Sequence, residues 1–335
     1  MGGAGEVQVS GGGDTVVASA PPFEVICVGS CMTDLITTVP RLPQLGETLV
    51  GTGFASGFGG KGANQAVTAA RLGGRVAMVA CVGDDRFGHA TLDNFEAQGV
   101  DARHVRVLPR VASGVAPITV LPDGHNTVLI VPGANERLEP EAALAALDDL
   151  GRPAVILCQL EIPDETVLAS FHWAREHGVR TILNPAPARP VSDELLDLAD
   201  VIAPNETELM ILTGVTSTDD LTDVARGART LRRRSDQAVI VTLGARGVWL
   251  CDDSSEHSIT TPAVQAVDST GAGDAFVGTL ALLLARGVAV AEAAEFACRV
   301  ATVSVQRAGT QTSFPDAMEL RALGMVLPKT QNHRT

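Results

Sequence analysis

The sequence contains no tyrosine, and only 3% of its 335 residues are aromatic. Aromatic platforms on which single-stranded nucleic acid could stack are therefore scarce. Basic residues are also in the minority, since 25 Lys and Arg against 39 Asp and Glu give a formal net charge of −14. That charge repels phosphate backbones, so we expect no nucleic-acid partner. A small anionic ligand remains compatible with it, because backbone N–H groups alone can hold a phosphate.

Long apolar runs are missing as well. None approaches the roughly 18 residues that a membrane-spanning helix needs, so we expect no membrane partner. The six cysteines form no CxxC pair, which indicates a reduced, cytoplasmic protein without a disulfide framework and leaves a nuclear location open. Residues 1–22 lack the basic and apolar regions of a secretory signal. They are predicted to be a disordered tail, and residues 326–335 a flexible C-terminal tail.

What the sequence does contain is a regular alternation of short apolar strands and amphipathic helices. Strand 154–158, for example, precedes helix 164–177. Such alternation predicts a three-layer αβα fold of the Rossmann-like type, with a mostly parallel central sheet. The apolar runs Val25–Val28 and Val76–Val82 are expected to be buried strands of the same sheet.

Two stretches in the first 131 residues do not fit that alternation. Residues 35–56 alternate and are rich in Thr and Gly, which favours an antiparallel strand with one wet face. Residues 114–131 hold two β-rich stretches around the turn signal Pro122-Asp123-Gly124. We therefore predict a small second β-sheet that forms a lid, within a single domain over residues 23–325.

The segment Asp268–Phe276 (DSTGAGDAF) carries the strongest chemical signal. Its small residues 271–273 directly precede an apolar helical run, and helix N-termini present unpaired N–H groups and a partial positive charge. Glycines at such a place let an anion approach the backbone closely. Asp274 would repel a resting phosphate there, so its predicted task is to take a proton from a nucleophile. The alternative is that Asp274 merely caps its helix.

A second glycine-rich segment, residues 57–66, contains the pattern GxGxxG. With Asp84 about 20 residues further on, it is similar to a dinucleotide fingerprint, which keeps an NAD-dependent dehydrogenase open. The residues before it do not form the continuous apolar strand of that fingerprint. The segment does not match the Walker loop pattern either, because a glycine follows Lys61 where Ser or Thr is required. The remaining interpretations are a glycine turn that brings Lys61 and Asn64 against a small polar ligand, or a plain strand-to-helix turn.

Acidic side chains follow three other predicted strands. Asn205 and Glu208 open a helix at the carboxyl edge of the sheet, where ligands bind. Glu208 then either orders a magnesium-bound phosphate through water or completes a capping box with Asn205. Asp34 and Glu161 take the equivalent place after two other strands, where a carboxylate either accepts sugar hydroxyls or is an ordinary loop residue.

Together these segments resemble the ribokinase family, the pfkB-type carbohydrate kinases, over about residues 24–316. The motifs GGKGAN at 59–64 and DSTGAGD at 268–274 occur in the family's order and separation. The resemblance implies ATP-dependent phosphorylation of D-ribose at O5, giving D-ribose 5-phosphate and ADP. It also implies Mg²⁺ and a monovalent cation, K⁺, as cofactors, and a homodimer joined through the lid sheets.

The resemblance assigns roles by position. Asp274 is the implied base, and the N–H groups of Gly271, Ala272 and Gly273 are the implied anion hole. The implied substrate-binding residues are Met32, Thr33, Asp34, Gly60, Lys61, Gly62, Ala63, Asn64, Glu161 and Asp274. Those implied for the nucleotide are Asn205, Thr242, Leu243, Gly244, Ala245, Arg246, Gly247, Gly273, Asp274 and Cys298. The implied K⁺ positions are Asp268, Thr270, Ser304, Arg307, Gly309 and Ser313, several through backbone carbonyls, and Glu208 acts on Mg²⁺ through water.

Two departures from the family bear on specificity. Many bacterial members have Asn where this chain has Met32, and a thioether accepts hydrogen bonds only weakly. A sugar that lacks one hydroxyl is then penalised less, which leaves 2-deoxyribose, another sugar or a nucleoside as alternative substrates. Cys298 stands where some relatives place a polar residue near the adenine, which leaves the base selectivity open. A non-catalytic sugar-binding protein is a further alternative.

Overall fold

A computed structural model describes residues 22–328, which contain thirteen strands and ten α-helices. The strands are β1 (Val25–Val28), β2 (Met32–Thr38), β3 (Gly53–Gly59), β4 (Val76–Gly83), β5 (Val100–Leu108), β6 (Gly114–Val120), β7 (Asn126–Val128), β8 (Val155–Cys158), β9 (Arg180–Leu183), β10 (Val201–Ile202), β11 (Ala238–Thr242), β12 (Val248–Cys251) and β13 (Glu256–Ile259). The helices are α1 (Lys61–Arg71), α2 (Arg86–Gln98), α3 (Pro140–Leu150), α4 (Asp164–Glu176), α5 (Asp193–Leu198), α6 (Glu206–Thr213), α7 (Leu221–Leu231), α8 (Ala272–Ala285), α9 (Val290–Ser304) and α10 (Ala317–Ala322).

Nine of the strands form a central sheet in the order β13-β12-β11-β10-β9-β8-β1-β4-β5. All neighbours from β5 to β11 are parallel, whereas β12 and β13 add an antiparallel hairpin at one edge. The chain leaves β1 for β4 on one side and later resumes at β8 on the other. The boundary between β1 and β8 is therefore the topological switch point, and ligands of such sheets bind at the carboxyl ends of the strands there.

Both faces of the central sheet are covered by helices. Successive strand residues point to opposite faces, so Val25 and Cys27 belong to the core beside α1, α8 and α9, whereas Ile26 and Val28 belong to the core beside α3, α4 and α7. All four residues of β1 are buried, as expected for a strand covered on both faces. The predicted three-layer αβα fold with a mostly parallel sheet is confirmed.

The other four strands form the lid sheet, in the order β3-β2-β6-β7. Strand β2 pairs antiparallel with β3 and parallel with β6, and β6 turns into β7 through Pro122–Gly124. Part of the lid sheet is exposed: the relative accessibility of Phe54 is 71%. The predicted small second sheet is confirmed, and it begins at Met32, three residues before the predicted stretch.

Two predictions concern the chain ends. The predicted disordered tail, residues 1–22, lies outside the described residues except for Pro22, and so does the part of the predicted C-terminal tail beyond residue 328. Between residues 22 and 328, none of the helices combines the length and the apolar character that crossing a bilayer requires.

Candidate active site

The predicted site residues meet at the carboxyl edge of the central sheet. Ser30 follows β1, Glu161 follows β8, Asn184 follows β9 and Asn205 follows β10. The N-terminus of α8 lies at the same edge, because Asp274 in its first turn contacts side chains at the start of α1. This is the edge at which parallel sheets hold their ligands.

Helix α8 opens without a side-chain cap. Its N-cap is Gly271, in the left-handed conformation with φ 78°, so the alternative that Asp274 caps the helix is wrong. Among residues 22–328, the N–H groups of Gly271, Gly273 and Asp274 have no hydrogen-bond partner. A Cβ on Gly273 would meet no atom within 4 Å, so this residue borders open space. Unpaired N–H groups of this kind bind anions. Of the predicted anion hole, Gly271 and Gly273 offer free donors, whereas the N–H of Ala272 donates to Ser269 O at 3.2 Å and does not.

Asp274 is buried, and each oxygen of its carboxylate accepts a hydrogen bond from a neighbouring side chain. Its Oδ2 accepts a hydrogen bond from Asn64 Nδ2 at 2.9 Å, and its Oδ1 accepts one from Gln65 Nε2 at 2.9 Å. The two motifs, which are distant in sequence, are thus in direct contact through α1 and α8. A carboxylate that only accepts hydrogen bonds and borders the anion hole has the properties of a general base.

A cavity of about 170 Å³ lies in front of these groups. It is lined by Lys61, Asn184, Ala186, Ala203, Asn205, Glu208, Thr242, Gly271, Gly273, Asp274 and Val277. Burial alone would lower the pKa of Lys61, but the surrounding carboxylates, Asp274 foremost, raise it above its ordinary value of 10.5. Lys61 is therefore protonated, and its charge adds to the positive end of α8 in a cavity suited to phosphates.

Asn205 and Glu208 form the capping box of α6. Asn205 Oδ1 accepts a hydrogen bond from Glu208 N at 2.8 Å, and Glu208 Oε2 accepts one from Asn205 N at 2.7 Å. Burial raises the pKa of Glu208 to about 7, although Asn205 and Lys61 oppose the shift. The capping alternative is confirmed. Because the second oxygen of Glu208 accepts from Asn205 Nδ2 at 2.8 Å, contact with a metal through water fits better than direct ligation.

The predicted sugar-binding carboxylates lie where the lid sheet meets α1. Glu161 Oε2 accepts hydrogen bonds from Ser30 Oγ at 2.5 Å and from Lys61 N at 2.8 Å. A Cβ on Gly59 would lie 2.2 Å from Asp34 Oδ1, so the carboxylate of Asp34 packs directly on the glycine turn. The glycines before Lys61 therefore serve close packing between β2 and α1.

Not every residue predicted to bind sugar faces this region. Met32 and Asp34 share one face of β2, so Thr33 points to the opposite face. Gly62 and Ala63 are buried within α1, and they shape the turn rather than line the cavity. Met32 lines a separate cavity of about 380 Å³ beside Glu161.

A larger cavity of about 470 Å³ continues from the first, and Thr242 and Gly273 border both. It is lined mainly by small apolar groups: Thr242, Gly244, Ala245, Gly247, Val248, Thr261, Pro262, Ala263, Val264, Ala266, Ser269, Ala272, Gly273, Phe276, Cys298, Ala301, Thr302 and Val305. An apolar cleft leading to a phosphate-binding cavity suits a flat base at one end of a nucleotide.

Of three further residues predicted to bind the nucleotide, two do not line the larger cavity and one does. Leu243 is buried in the core, and Arg246 extends away to Glu206 and to the carbonyl of Thr218 at 2.7 Å, so neither side chain lines the larger cavity. Cys298 does line it. Burial raises the pKa of its thiol to about 12, so Cys298 contributes a neutral wall.

Most of the predicted K⁺ positions fall on two adjacent loops joined by Asp268, and Ser304 is the last residue of α9. Its Oδ1 accepts a hydrogen bond from Thr270 N at 2.9 Å, and its Oδ2 accepts one from Gly309 N at 2.9 Å. Burial alone would raise the pKa of Asp268, but these hydrogen bonds hold it below its ordinary value of 3.8. The loops are therefore fixed to each other by an ionised carboxylate.

The other K⁺ positions offer mainly oxygen atoms. Ser304 and Ser313 are buried, whereas the guanidinium of Arg307 pairs with Glu319 at 3.0 Å, which leaves its carbonyl as the available donor. Within residues 22–328, no group of three His, Cys, Asp or Glu residues is arranged to hold a metal ion. A donor set of carbonyls and hydroxyls fits K⁺, which carbonyl oxygens coordinate in place of water.

Replacing Asp34 with Asn is expected to stabilise the ligand-free protein. Burial raises the pKa of Asp34 from 3.8 to about 6, with Thr310 opposing and other carboxylates adding to the shift. Ionising this group therefore destabilises the fold, fully above about pH 6 and not below about pH 4. The free energy of unfolding of Asp34→Asn should exceed that of the parent by on the order of 1–3 kcal/mol at pH 8. Urea denaturation at pH 8 and pH 4 measures this difference, and a gain of equal size at both pH values would contradict it.

Four residues that the sequence did not single out belong to the site. Gln65 contacts Asp274 and Asn184 lines the cavity beside it, whereas Gln159 contacts Gln65 and Gln311 contacts Asn64. Gln65 directly follows Asn64 in the glycine-rich segment, which was the available signal. The other three lie in stretches without any motif, so only the fold brings them to the site.

The fold and the site together indicate the class of protein. A parallel α/β sheet, an uncapped helix N-terminus and a buried carboxylate beside it define a phosphotransferase for a small hydroxylated molecule. The family model for pfkB family carbohydrate kinases matches residues 23–317. The chain therefore belongs to the pfkB family of carbohydrate kinases.

Individual relatives agree with that family. The chain is 42% identical to a ribokinase of Mus musculus over 301 residues, which cover 88% of this chain and 93% of the relative. It is 41% identical to a deoxyribokinase of Salmonella typhi, covering 88% of this chain and 96% of that one. Among solved structures, the ribokinase of Arabidopsis thaliana complexed with ribose and ATP is 31% identical, covers 91% of this chain and 98% of that chain, and has a TM-score of 0.80.

Proposed function

We propose that this chain transfers the γ-phosphoryl group of ATP to the O5 hydroxyl of D-ribose, giving D-ribose 5-phosphate and ADP. The observation that carries the proposal is the placement of Asp274 beside the unpaired N–H groups of α8, in a cavity continuous with an apolar cleft. Relatives named ribokinase support the sugar, and the Arabidopsis thaliana ribokinase complexed with ribose and ATP supports both substrates.

The residues of the site divide the reaction between them. Asp274 accepts the proton of the attacking hydroxyl, which makes the oxygen a better nucleophile. The unpaired N–H groups of Gly271, Gly273 and Asp274 and the ammonium of Lys61 stabilise the negative charge of the transferred group. Asp34 and Glu161 accept hydrogen bonds from the sugar hydroxyls and orient O5 toward Asp274. Residues of the apolar cleft hold the adenine of ATP.

Two metal ions complete the proposal. Mg²⁺ would neutralise phosphate charge, and Glu208 would hold it through a water molecule. K⁺ would be held by oxygen atoms of the two loops that Asp268 joins, including Ser313, and by Ser304 at the C-terminus of α9. There it would fix the loop that follows Gly309, which carries Thr310 against Asp34 at 3.3 Å.

Met32 is the residue that bears on the choice between ribose and 2-deoxyribose, the substrate class of the Salmonella typhi relative. It shares a face of β2 with Asp34 and offers no strong hydrogen bond to a hydroxyl. We expect Met32→Asn to raise kcat/KM for ribose relative to 2-deoxyribose by about tenfold or more, because a polar group left unpaired penalises the smaller sugar. Steady-state rates with both sugars measure the ratio. Thr33→Asn, on the opposite face of the strand, should leave the ratio unchanged, and equal ratios in all three proteins would contradict the assignment.

The lid sheet is the proposed dimer interface. Phe54 of β3 and the stretch Val128–Val131 after β6 expose apolar side chains, with relative accessibilities between 43% and 71%. Phe54 and this stretch lie at the two edges of the lid sheet, and exposed apolar side chains of this kind are typical of protein contacts. The proposed location is the cytoplasm, since all six cysteines are free and buried.

A single assay tests the proposed function. ADP release is measured with a panel of pentoses, hexoses and nucleosides, each with and without K⁺. The proposal expects ribose to give the highest kcat/KM and K⁺ to raise it. Direct reduction of NAD⁺ by a sugar, without ATP, would instead support the dehydrogenase alternative, and sugar binding without ADP release would support a binding protein.

A further inference from the structure

Each oxygen of the Asp274 carboxylate accepts a hydrogen bond from one side-chain amide. Gln65 Nε2 donates to Oδ1 and Asn64 Nδ2 donates to Oδ2, both at 2.9 Å. An ionised carboxylate has no hydrogen to donate, so both amides must present their nitrogen and not their oxygen. Asp274 therefore determines the orientation of the side-chain amides of Asn64 and Gln65.

Gln65 is in turn oriented by a second glutamine. Gln159 Nε2 donates to Gln65 Oε1 at 2.6 Å, and Gln65 Nε2 also donates to Asn184 Oδ1 at 2.9 Å. Gln65 and Gln159 are completely buried. Both hydrogens of the Gln65 amide and its oxygen are thus engaged, which leaves this side chain a single orientation.

The far end of this chain is left unsatisfied. Gln159 Oε1 is buried and has no hydrogen-bond partner. Rotating the Gln159 amide by half a turn would move the oxygen away from that position, but it would place two carbonyl oxygens about 2.6 Å apart at Gln65. Buried polar atoms without partners are rare in folded proteins. This one exists because the direction of the whole chain is set at Asp274.

A second chain reaches the other carboxylate oxygen. Gln311 Nε2 donates to Asn64 Oδ1 at 3.0 Å, and Asn94 Nδ2 donates to Gln311 Oε1 at 2.9 Å. The side chain of Asn64 is thereby oriented in the same manner as that of Gln65. Two directional amide chains, from opposite sides of α1, converge on one carboxylate.

We propose that Gln65 is a positioning residue for Asp274, and that Gln159 fixes the orientation of Gln65. This inference rests on the proposed function, in which Asp274 is the base. The terminal torsion of an aspartate side chain is broad, so an unsupported carboxylate would rotate. With one donor on each oxygen, the remaining lone pairs keep a constant direction toward the substrate. Displacement of a reacting group by about 1 Å can cost roughly 100-fold in rate.

The test is Gln65→Met, which keeps the length of the side chain and removes its polar atoms. We expect kcat to fall about 10- to 100-fold, while KM for ribose and for ATP stays within about threefold, since Gln65 is completely buried and lines neither cavity. In an Asp274→Asn background the same substitution should lower kcat no further, because its effect passes through the carboxylate.

Gln237→Met is the matched control. Gln237 is as buried as Gln65 and makes three hydrogen bonds far from the site, to Leu196 O, Ala199 O and Arg233 N. It should keep kcat at the parent value once thermal denaturation shows that both variants are folded. If Gln65→Met does not fold, Gln159→Met replaces it, with an expected fall in kcat of several-fold at unchanged KM.

The outcomes separate this inference from the proposed function. An unchanged kcat in the folded Gln65→Met variant overturns the positioning role while Asp274 remains the base. An equal further loss in the Asp274→Asn background overturns it too, because Gln65 would then act independently. If Asp274→Asn alone leaves kcat unchanged, the proposed base itself is wrong.

Discussion

Replacing Asp274 with Asn is expected to lower kcat by at least about 100-fold, the lower end of the range for general-base catalysis. Asn has the same shape but cannot take up the hydroxyl proton. Its amide would also direct a donor at one of the two amides that now donate to the carboxylate. The affinity for ribose should change little, since Asp34 and Glu161 are the proposed sugar-binding carboxylates. ADP release at saturating substrates measures kcat, and calorimetry measures ribose binding.

The exposed Asp84, which pairs with His89 at 3.0 Å on the surface, provides the control. Asp84→Asn removes the same charge from the protein and should leave kcat at its original value. A kcat of Asp274→Asn within threefold of the parent would exclude Asp274 as the base. A large loss of ribose affinity with constant kcat would instead make it a binding residue.

Replacing Gly62 with Ala is expected to destabilise the protein by about 3 kcal/mol, at the upper end of typical overpacking effects. An added Cβ would lie 2.5 Å from Ser30 N and 2.8 Å from the carbonyl carbon of Gly29. Both contacts are with backbone, which cannot rotate away as a side chain can. The start of α1 would therefore move from the end of β1 and carry Lys61 with it. Urea denaturation measures the loss, and the rate of ADP release should fall in parallel.

Gly57→Ala is the comparison for that substitution. A Cβ on Gly57 would meet no atom within 4 Å, so its unfolding free energy should change by less than about 1 kcal/mol. Both glycines belong to the GxGxxG pattern of the sequence, and only the structure distinguishes them. Equal destabilisation by the two substitutions would show that contact with the end of β1 is not the reason why position 62 requires a glycine.

The same pattern shows where sequence reasoning succeeded. The prediction that residues before it do not form a buried parallel strand is confirmed, because β3 belongs to the lid sheet and is largely exposed. The buried strands β1 and β4 were predictable from their continuous apolar runs, since strands covered on both faces need them. The two long motifs located the start of α1 and the start of α8.

Elements at the margins of the sheet were not predicted. Strand β5 is an edge strand that carries Asp101, Arg103 and Arg106, so it lacks an apolar run. Strands β12 and β13 have four residues each and pair antiparallel, outside the strand–helix alternation. Helix α2 is capped at its N-terminus by Asp85, whose carboxylate accepts hydrogen bonds from Phe87 N and Gly88 N, but the apolar face of this helix is narrow. Weak periodicity gives little signal in each case.

Within the site, motifs indicated residues that line the smaller cavity and missed the residues behind them. Gln159 contacts Gln65 across 94 positions of sequence, and Gln311 contacts Asn64 across 247. A lone glutamine has no spacing or pattern that points to such a partner. Its role exists only once the sheet and α1 are packed together.

The burial of all six cysteines has a practical consequence for biophysical work. Burial raises the pKa of every one of these thiols, so none is a reactive thiolate near neutral pH. A cysteine introduced at an exposed position such as Val50, next to β3, would therefore be the preferred target of a maleimide dye. The natural chain is thus ready for single-site labelling without first removing its own sulfhydryl groups.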